Sequence, residues 1–291
     1  MKEKPVVAGI GELLWDILPS GKHLGGAPCN FTFHAMQTGC AGFIVSATGN
    51  DELGDELTKV ITELGLSTRY LQKNEHPTST VSVELDKNGQ PEFQIHENVA
   101  WDHIKWNKNM ESLAGDLDAV CFGTLAQRNP ESKFSIKSFI AATKPECLKI
   151  FDVNLRQNYY SKEVIINSLN FSDILKLNED ELPVLSDYFG FSGSAEKQID
   201  QILRHFRLKF VVYTLGSKGS IVMSETEVSF TEAPKIKIAD TVGAGDAFTA
   251  VFMAGLLKGI PLKETHEKAT LTAAYVCTQK GATPKLPWKI F

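Results

Sequence analysis

The chain predicts an α/β fold on a mainly parallel central sheet, with a second, smaller sheet beside it. Three observations carry that prediction. From Leu117 onward, short apolar runs alternate regularly with amphipathic stretches, the pattern of parallel strands joined by right-handed helical crossovers. Earlier, Thr80–Leu85 alternates Val81, Val83 and Leu85 with polar residues, and Phe93 and Ile95 follow the turn pair Asn88-Gly89; this is a hairpin with one apolar face. Finally, 291 residues with 43% hydrophobic and 22% charged side chains can build a sizeable core and exclude disordered, collagen-like and coiled-coil architectures.

In chain order, Val6–Ile10 is a short apolar run closed by Gly11, a buried strand. Leu13–Leu18 continues extended to a turn at Pro19, Ser20 and Gly21. Asn30–Thr38 reads as a helix and Phe43–Ala47 as a strand. Asp51–Leu64 has an N-cap Asp, apolar Leu53, Leu57, Val60, Ile61 and Leu64, and Gly65 as its stop, an amphipathic helix. Later strands are expected at Ala119–Phe122, Leu148–Val153, Ile174–Leu177 and Phe210–Thr214. Helices are expected at Glu131–Ala142, Lys162–Leu169 and Ser194–Phe206, then a hairpin over Val222–Phe230. Ala244–Leu257 and Leu262–Lys280 are the closing helices, the second with Pro261 at its start and Gly281 at its end.

Charge and cysteine usage narrow the function. The net charge is −5 and no basic block occurs, so a nucleic-acid partner is not expected. Leu24–Asn50 lacks Asp, Glu, Lys and Arg, but Gly25, Gly26, Pro28, Asn30, His34 and Gln37 interrupt it, so no membrane span is expected. Five scattered cysteines, none spaced C-x-x-C, fit a reducing compartment rather than a disulfide framework or zinc site. With no signal-peptide pattern at the start, a cytoplasmic location is expected. The Gly9-Ile10-Gly11 and Gly243-Ala244-Gly245 runs lack the third glycine of a dinucleotide fingerprint, and no P-loop, protein-kinase or G-x-S-x-G motif is present.

The segment with most chemistry is Asp240-Thr241-Val242-Gly243-Ala244-Gly245-Asp246, leading into an apolar helix. Two glycines let the backbone turn tightly and present successive N–H groups at a helix N-terminus, an anion cradle. Asp246 in the first helical turn would repel an anion, unless it accepts the proton of an attacking hydroxyl. The plainer alternative is that it complements the helix dipole. Amide donors beside it predict a low pKa. Elsewhere, Asp16 reads either as a solvated strand residue or as an acceptor for sugar hydroxyls, and Asn30 as an N-cap or a hydroxyl partner.

The Gly243-Ala244-Gly245-Asp246 run with Asp240-Thr241 ahead resembles the C-terminal signature of the ribokinase-like carbohydrate kinases, the PfkB family. Gly25-Gly26-Ala27-Pro28-x-Asn30 resembles its N-terminal glycine motif, in the family's order and more than 200 residues away. Gly11-Glu12 with Asp16, and Phe151-Asp152-Val153-Asn154-Leu155-Arg156, look most like the fructokinase branch. The resemblance runs over nearly the whole chain. It implies a ribokinase-like three-layer sandwich over residues 1–291 with a lid drawn from about 12–25 and 78–98. It implies transfer of the ATP γ-phosphate to a sugar hydroxymethyl group, fructose to fructose 6-phosphate first. Another sugar, a nucleoside, or a non-catalytic sugar-binding regulator are the alternatives.

By matching position, the resemblance implies Asp246 as base and Gly243, Ala244 and Gly245 as the anion hole. Asp16, Gly26, Asn30, Asn98 and Arg156 become sugar-side residues. Asn178, Thr214, Gly216 and Gly219 become nucleotide-side residues, with Glu181 acting on Mg²⁺ through water. Thr270 stands where relatives carry an Asn near the adenine, and Trp101 reads as packing. K⁺ as a further cofactor and pairing of two copies through the small sheet are also implied.

Overall fold

The computed structural model describes residues 4–18, 21–85 and 91–291. The expected turn residues Pro19, Ser20, Asn88 and Gly89, and the side chains of Val83, Leu85 and Phe93, lie outside the described residues. The main sheet has the order β13 (Val228–Thr231), β12 (Ser220–Met223), β11 (Phe210–Thr214), β10 (Ile174–Asn178), β9 (Leu148–Asp152), β8 (Ala119–Gly123), β1 (Val6–Ile10), β4 (Ala41–Gly49) and β5 (Leu71–Asn74). Every pair from β5 to β11 is parallel, and the last two pairs, through β12 and β13, are antiparallel. The second sheet has the order β3 (Gly21–Gly25), β2 (Leu14–Leu18), β6 (Ser79–Leu85) and β7 (Pro91–Ile95). Its central pair is parallel and its outer pairs antiparallel.

Helices cover both faces of the main sheet. α1 (Ala27–Gln37), α8 (Ala244–Leu257) and α9 (Leu262–Cys277) place Phe31, Phe252 and Ala269 against one face. α3 (Lys108–Asp116), α4 (Pro130–Ala141), α5 (Lys162–Phe171), α6 (Glu181–Phe189) and α7 (Ala195–Phe206) place Leu113, Phe139, Ile165, Leu185 and Ile202 against the other. A strand buried on both faces reads as a continuous apolar run, as β8 does here, whereas β10 carries Lys176 in its middle. α8 is apolar all round, with Ala247–Gly255 buried throughout, because α1 and α9 flank it beneath the sheet.

α2 (Glu52–Glu63) turns Leu57 and Ile61 onto Ile44 of β4 and Phe33 of α1. The Asp51 carboxylate caps it, accepting from Gly54 N at 2.8 Å, and also accepts from Thr78 N at 2.8 Å and Thr78 Oγ1 at 2.6 Å. It thus ties the helix to the chain entering β6. Burial alone would raise the Asp51 pKa, but these donors outweigh it and hold it below the usual value. Asp51→Ala is expected to cost about 1–2 kcal/mol of stability in urea unfolding at neutral pH. Because the folded pKa is depressed, the carboxylate's share is present above pH ~4 and fades as pH falls through the folded value, so the difference between variant and parent narrows in acid.

The structure moves several expected boundaries. α1 begins three residues before Asn30, and Gly26 takes the N-cap position with Pro28 in the first turn. Asn30 therefore caps nothing. It lies inside the helix, where a Pro two residues earlier is tolerated because first-turn amides have no intrahelical partner. α9 stops at Cys277 rather than Lys280. β3, β5, α3 and α6 are elements the apolar pattern does not announce.

Candidate active site

The parallel strands deliver their carboxyl ends to one edge, where ligands of open α/β sheets gather. β1 ends next to Glu12, β9 at Asp152 with Asn154 just beyond, and β10 at Asn178. The N-terminal turns of α1 and α8 meet there as well. Asn30 Nδ2 donates to Asp246 Oδ2 at 2.9 Å across 216 positions of sequence. Asn30 is buried and its Oδ1 has no partner among the described residues. Gly26, at φ 113°, lets α1 start against the loop after β1; a Cβ there would lie 2.4 Å from the Glu12 carbonyl oxygen.

No side chain caps the first turn of α8, whereas Asp51, Asn107, Asn129, Ser161 and Ser194 cap α2, α3, α4, α5 and α7. Gly243 adopts the left-handed conformation at φ 79°. The Ala244 amide makes a long 3.4 Å bond to Thr241 O, so the open amides of this turn centre on Gly245 and Asp246. Asp240 builds the loop, accepting from Val242 N at 3.0 Å and Gly281 N at 3.1 Å. Ala282 backs Gly243 closely enough that a Cβ on the glycine would meet it at 2.6 Å.

That backing segment is held from α1. His34 Nε2 donates to Ala282 O at 2.9 Å, Gln37 Nε2 donates to Pro284 O at 3.2 Å, and Leu286 N donates to Gln37 Oε1 at 2.7 Å. Burial lowers the His34 pKa to about 4, so the ring stays neutral.

The charges are unusual for their depth. Asp246 is pushed up to about 6, first by burial and then by Asp152, against the Asn30 bond and the Lys176 and Arg156 cations. The low value expected from the amides is thus overturned, because dense packing behind the carboxylate removes more solvation than the donors return. Burial likewise raises Glu12 to about 7 and Asp16 to about 6. Arg156 is exposed, and its charge opposes the rise at Glu12, Asp16 and Asp246, which places it at the same cleft.

Lys176 on β10 lies beneath. Its Nζ donates to Asp152 Oδ1 at 3.1 Å, with side chains 9% and 6% exposed. Burial would lower its pKa, but Asp152, Glu181 and Asp246 together hold it above the ordinary lysine value. Lys176 is not among the expected site residues, yet a lysine inside Ile174-Leu175-Lys176-Leu177 is itself a signal: a charge in a doubly buried strand needs partners.

Glu181 is buried at the start of α6 and accepts from Leu155 N and Asn178 N, both at 2.9 Å. Asn178 Oδ1 accepts from Asp180 N and Glu181 N, each at 2.9 Å. Thr214 ends β11, and Gly216 and Gly219 frame the turn after it. A Cβ on Gly219 would strike Thr231 O at 2.1 Å, so β13 requires a glycine there. Lys218 pairs with Glu179 at 2.9 Å on the surface.

Thr270 lies beside the turn that Gly219 closes, its Oγ1 3.5 Å from Ser220 Oγ. It is buried, its hydroxyl donating to His266 O at 3.0 Å. Asn98 is exposed at φ 55°, with its Oδ1 2.9 Å from His103 Nε2. Trp101 is fully buried, packed under Arg128 at 4.1 Å.

The chain and its fold have counterparts among known proteins. The uncharacterized sugar kinase PH1459 of Pyrococcus horikoshii is 30% identical over 304 residues, spanning 96% of this chain and 93% of its own. Its crystal structure superposes with a TM-score of 0.81 over 96% of this chain and 93% of that one. An ATP-dependent 6-phosphofructokinase of Thermoanaerobacterium thermosaccharolyticum is 29% identical over 299 residues, 97% of this chain and 90% of its own. A fructokinase from Vibrio cholerae O395, solved with fructose, ADP and a calcium ion, is 25% identical with a TM-score of 0.79 over 98% and 96% of the two chains. Residues 20–289 match the model of the pfkB family carbohydrate kinases. With that match over most of its length, the chain belongs to the PfkB family of carbohydrate kinases.

Proposed function

We propose that the chain transfers the γ-phosphoryl group of ATP to the hydroxymethyl oxygen of a small sugar, with fructose as the preferred acceptor. The observation that carries this reading is the bond between Asn30 and Asp246 at the open first turn of α8. It joins the two family motifs into one site where a carboxylate faces anion-binding amides. Asp16, Gly26, Asn30 and Arg156 hold the sugar. Asn30 occupies Asp246 Oδ2, which leaves Oδ1 to accept the proton. The sugar oxygen bonds to the γ-phosphorus, the bond to the ADP oxygen breaks, and the sugar's proton passes to Asp246. The amides of the 243–246 turn receive the charge on the transferring group. The small sheet acts as a lid that excludes water.

The residues fit Mg²⁺ carried in on the nucleotide. Among the described residues no group of three or more His, Cys, Asp or Glu side chains is arranged to hold a metal, and both Glu181 oxygens already accept from backbone amides. Mg²⁺ keeps several waters and binds substrate phosphates, so Glu181 would hold it through water. When bound, the ion neutralises phosphate charge.

The test is a coupled ADP-release assay with fructose, fructose 6-phosphate and a purine nucleoside as acceptors. The expected result is the highest kcat/KM with fructose. Preference for the phosphosugar, as the name of the 6-phosphofructokinase relative suggests, or for the nucleoside moves the chain to another branch. Sugar binding without turnover makes it a regulator.

A further inference from the structure

We propose that Lys176 is a positioning residue for the transfer, a buried cation that braces the Gly245–Asp246 turn and keeps the Asp246 carboxylate charged beside an anion-binding loop. The inference rests on Asp246 being the proton acceptor. Lys176 extends from β10 toward the first turn of α8, and a Cβ on Gly245 would lie 3.1 Å from its Nζ. The ammonium therefore packs against the Gly245 α-carbon, one residue before Asp246. A larger residue at 245 would push it away, which gives the second glycine of the motif a role besides backbone freedom.

The groups around this ammonium explain why a cation is needed. Asp152 from β9 accepts from it at 3.1 Å. Glu181 of α6, Asp246 of α8 and Asp152 each add a favourable charge to it. Glu12 after β1 and Arg156 beyond β9 also reach this cluster. The thiols of Cys29 on α1 and Cys121 on β8 face Asp246 but are held neutral, since burial raises Cys29 to about 12 and Cys121 well above its ordinary value. Five carboxyl groups, with Asp16 beside Arg156, thus share the buried cation Lys176 and the exposed cation Arg156. Asp152 raises the Asp246 pKa and Lys176 lowers it. Without the ammonium, Asp246 would face Asp152 with no buried cation between their charges and would hold its proton to higher pH, when it must be free to take one.

The experiment compares pH profiles of kcat/KM. Lys176→Met is expected to move the acid limb upward by about one pH unit or more, the size of effect a nearby charge exerts, and to lower kcat with the sugar KM little changed. Leaving Asp152 unpaired in that variant threatens folding. A second comparison therefore sets Asp152→Asn against Asp152→Asn/Lys176→Met, where the lysine's hydrogen-bonded partner is already neutral. The double variant is expected to have the higher limb by a similar amount. Coincident limbs in the second comparison, with folding verified by circular dichroism, would overturn the inference. If Asp246→Asn itself retained near-normal turnover, the assignment of the acceptor would fail instead, so the two failures are distinct.

Discussion

Asp246→Asn is expected to lower kcat by about three orders of magnitude, within the range lost with a general base, while sugar affinity survives. The amide is isosteric with the carboxylate, and its oxygen can still accept from Asn30 Nδ2, which now donates to Asp246 at 2.9 Å. What disappears is the capacity to take a proton. Stability moves the other way. The folded pKa of about 6 exceeds the ordinary value of 3.8, so the stability tied to the protonated form is fully present below pH ~4 and is lost as pH rises through 6. At pH 8 the parent holds an unfavourable charge that the variant lacks. The variant is therefore expected to be more stable there by on the order of 1–3 kcal/mol in urea unfolding. An inactive but stabilised protein is the signature of a carboxylate kept charged for chemistry. In the parent, kcat/KM should rise as pH passes upward through about 6, where Asp246 ionises. Near-normal turnover of the variant would remove Asp246 from the role.

Gly243→Ala is expected to cost about 100- to 1000-fold in kcat, the range seen when a donor is lost from an oxyanion site, with a higher KM for ATP. Gly243 sits at φ 79°, and an added Cβ would meet Ala282 Cβ and O at 2.6 Å. The left-handed conformation alone costs an L-residue about 1–2 kcal/mol. The clash adds to it, and neither side can yield freely: Asp240 ties the loop to Gly281 N at 3.1 Å, and His34 ties Ala282 to α1 at 2.9 Å. The amides of the turn therefore rotate away from the phosphoryl position. Gly190→Ala is the control. That glycine ends α6 at φ 70° with nothing within 4 Å of an added Cβ, so it should lose stability from strain but no activity. Equal kcat in both variants would separate the loop from anion binding.

The pattern of apolar runs located β1, β8, β9, β10 and β11 because strands buried on both faces are apolar nearly end to end. It missed β3, Gly-Lys-His-Leu-Gly, and β5, Leu-Gln-Lys-Asn, since edge strands with exposed residues carry no such run. α6 opens Glu-Leu-Pro-Val, where a proline in the first turn hides a helix that needs no amide there. The paired glycine motifs drew attention to Asn30 and Asp246, but not to the bond between them. Nor could spacing reveal that burial, rather than amide donors, governs the Asp246 charge: solvation depends on everything packed around a group, most of it distant in sequence. Lys176 was passed over for the same reason, since its partners Asp152, Glu181 and Asp246 come from three other elements.

The clamp of His34 and Gln37 on residues 282–286 also sets a clock. Synthesis runs from the N-terminus and domains fold as units, yet the anion loop leans on Gly281 and Ala282, which leave the ribosome long after α1 has emerged. β1 must likewise wait for β8, its parallel neighbour more than 100 positions later. A growing chain therefore has Asp16 and Asn30 long before Gly281 and Ala282 back the 243–246 turn, and this edge of the sheet is finished only when the segment past 280 docks onto α1.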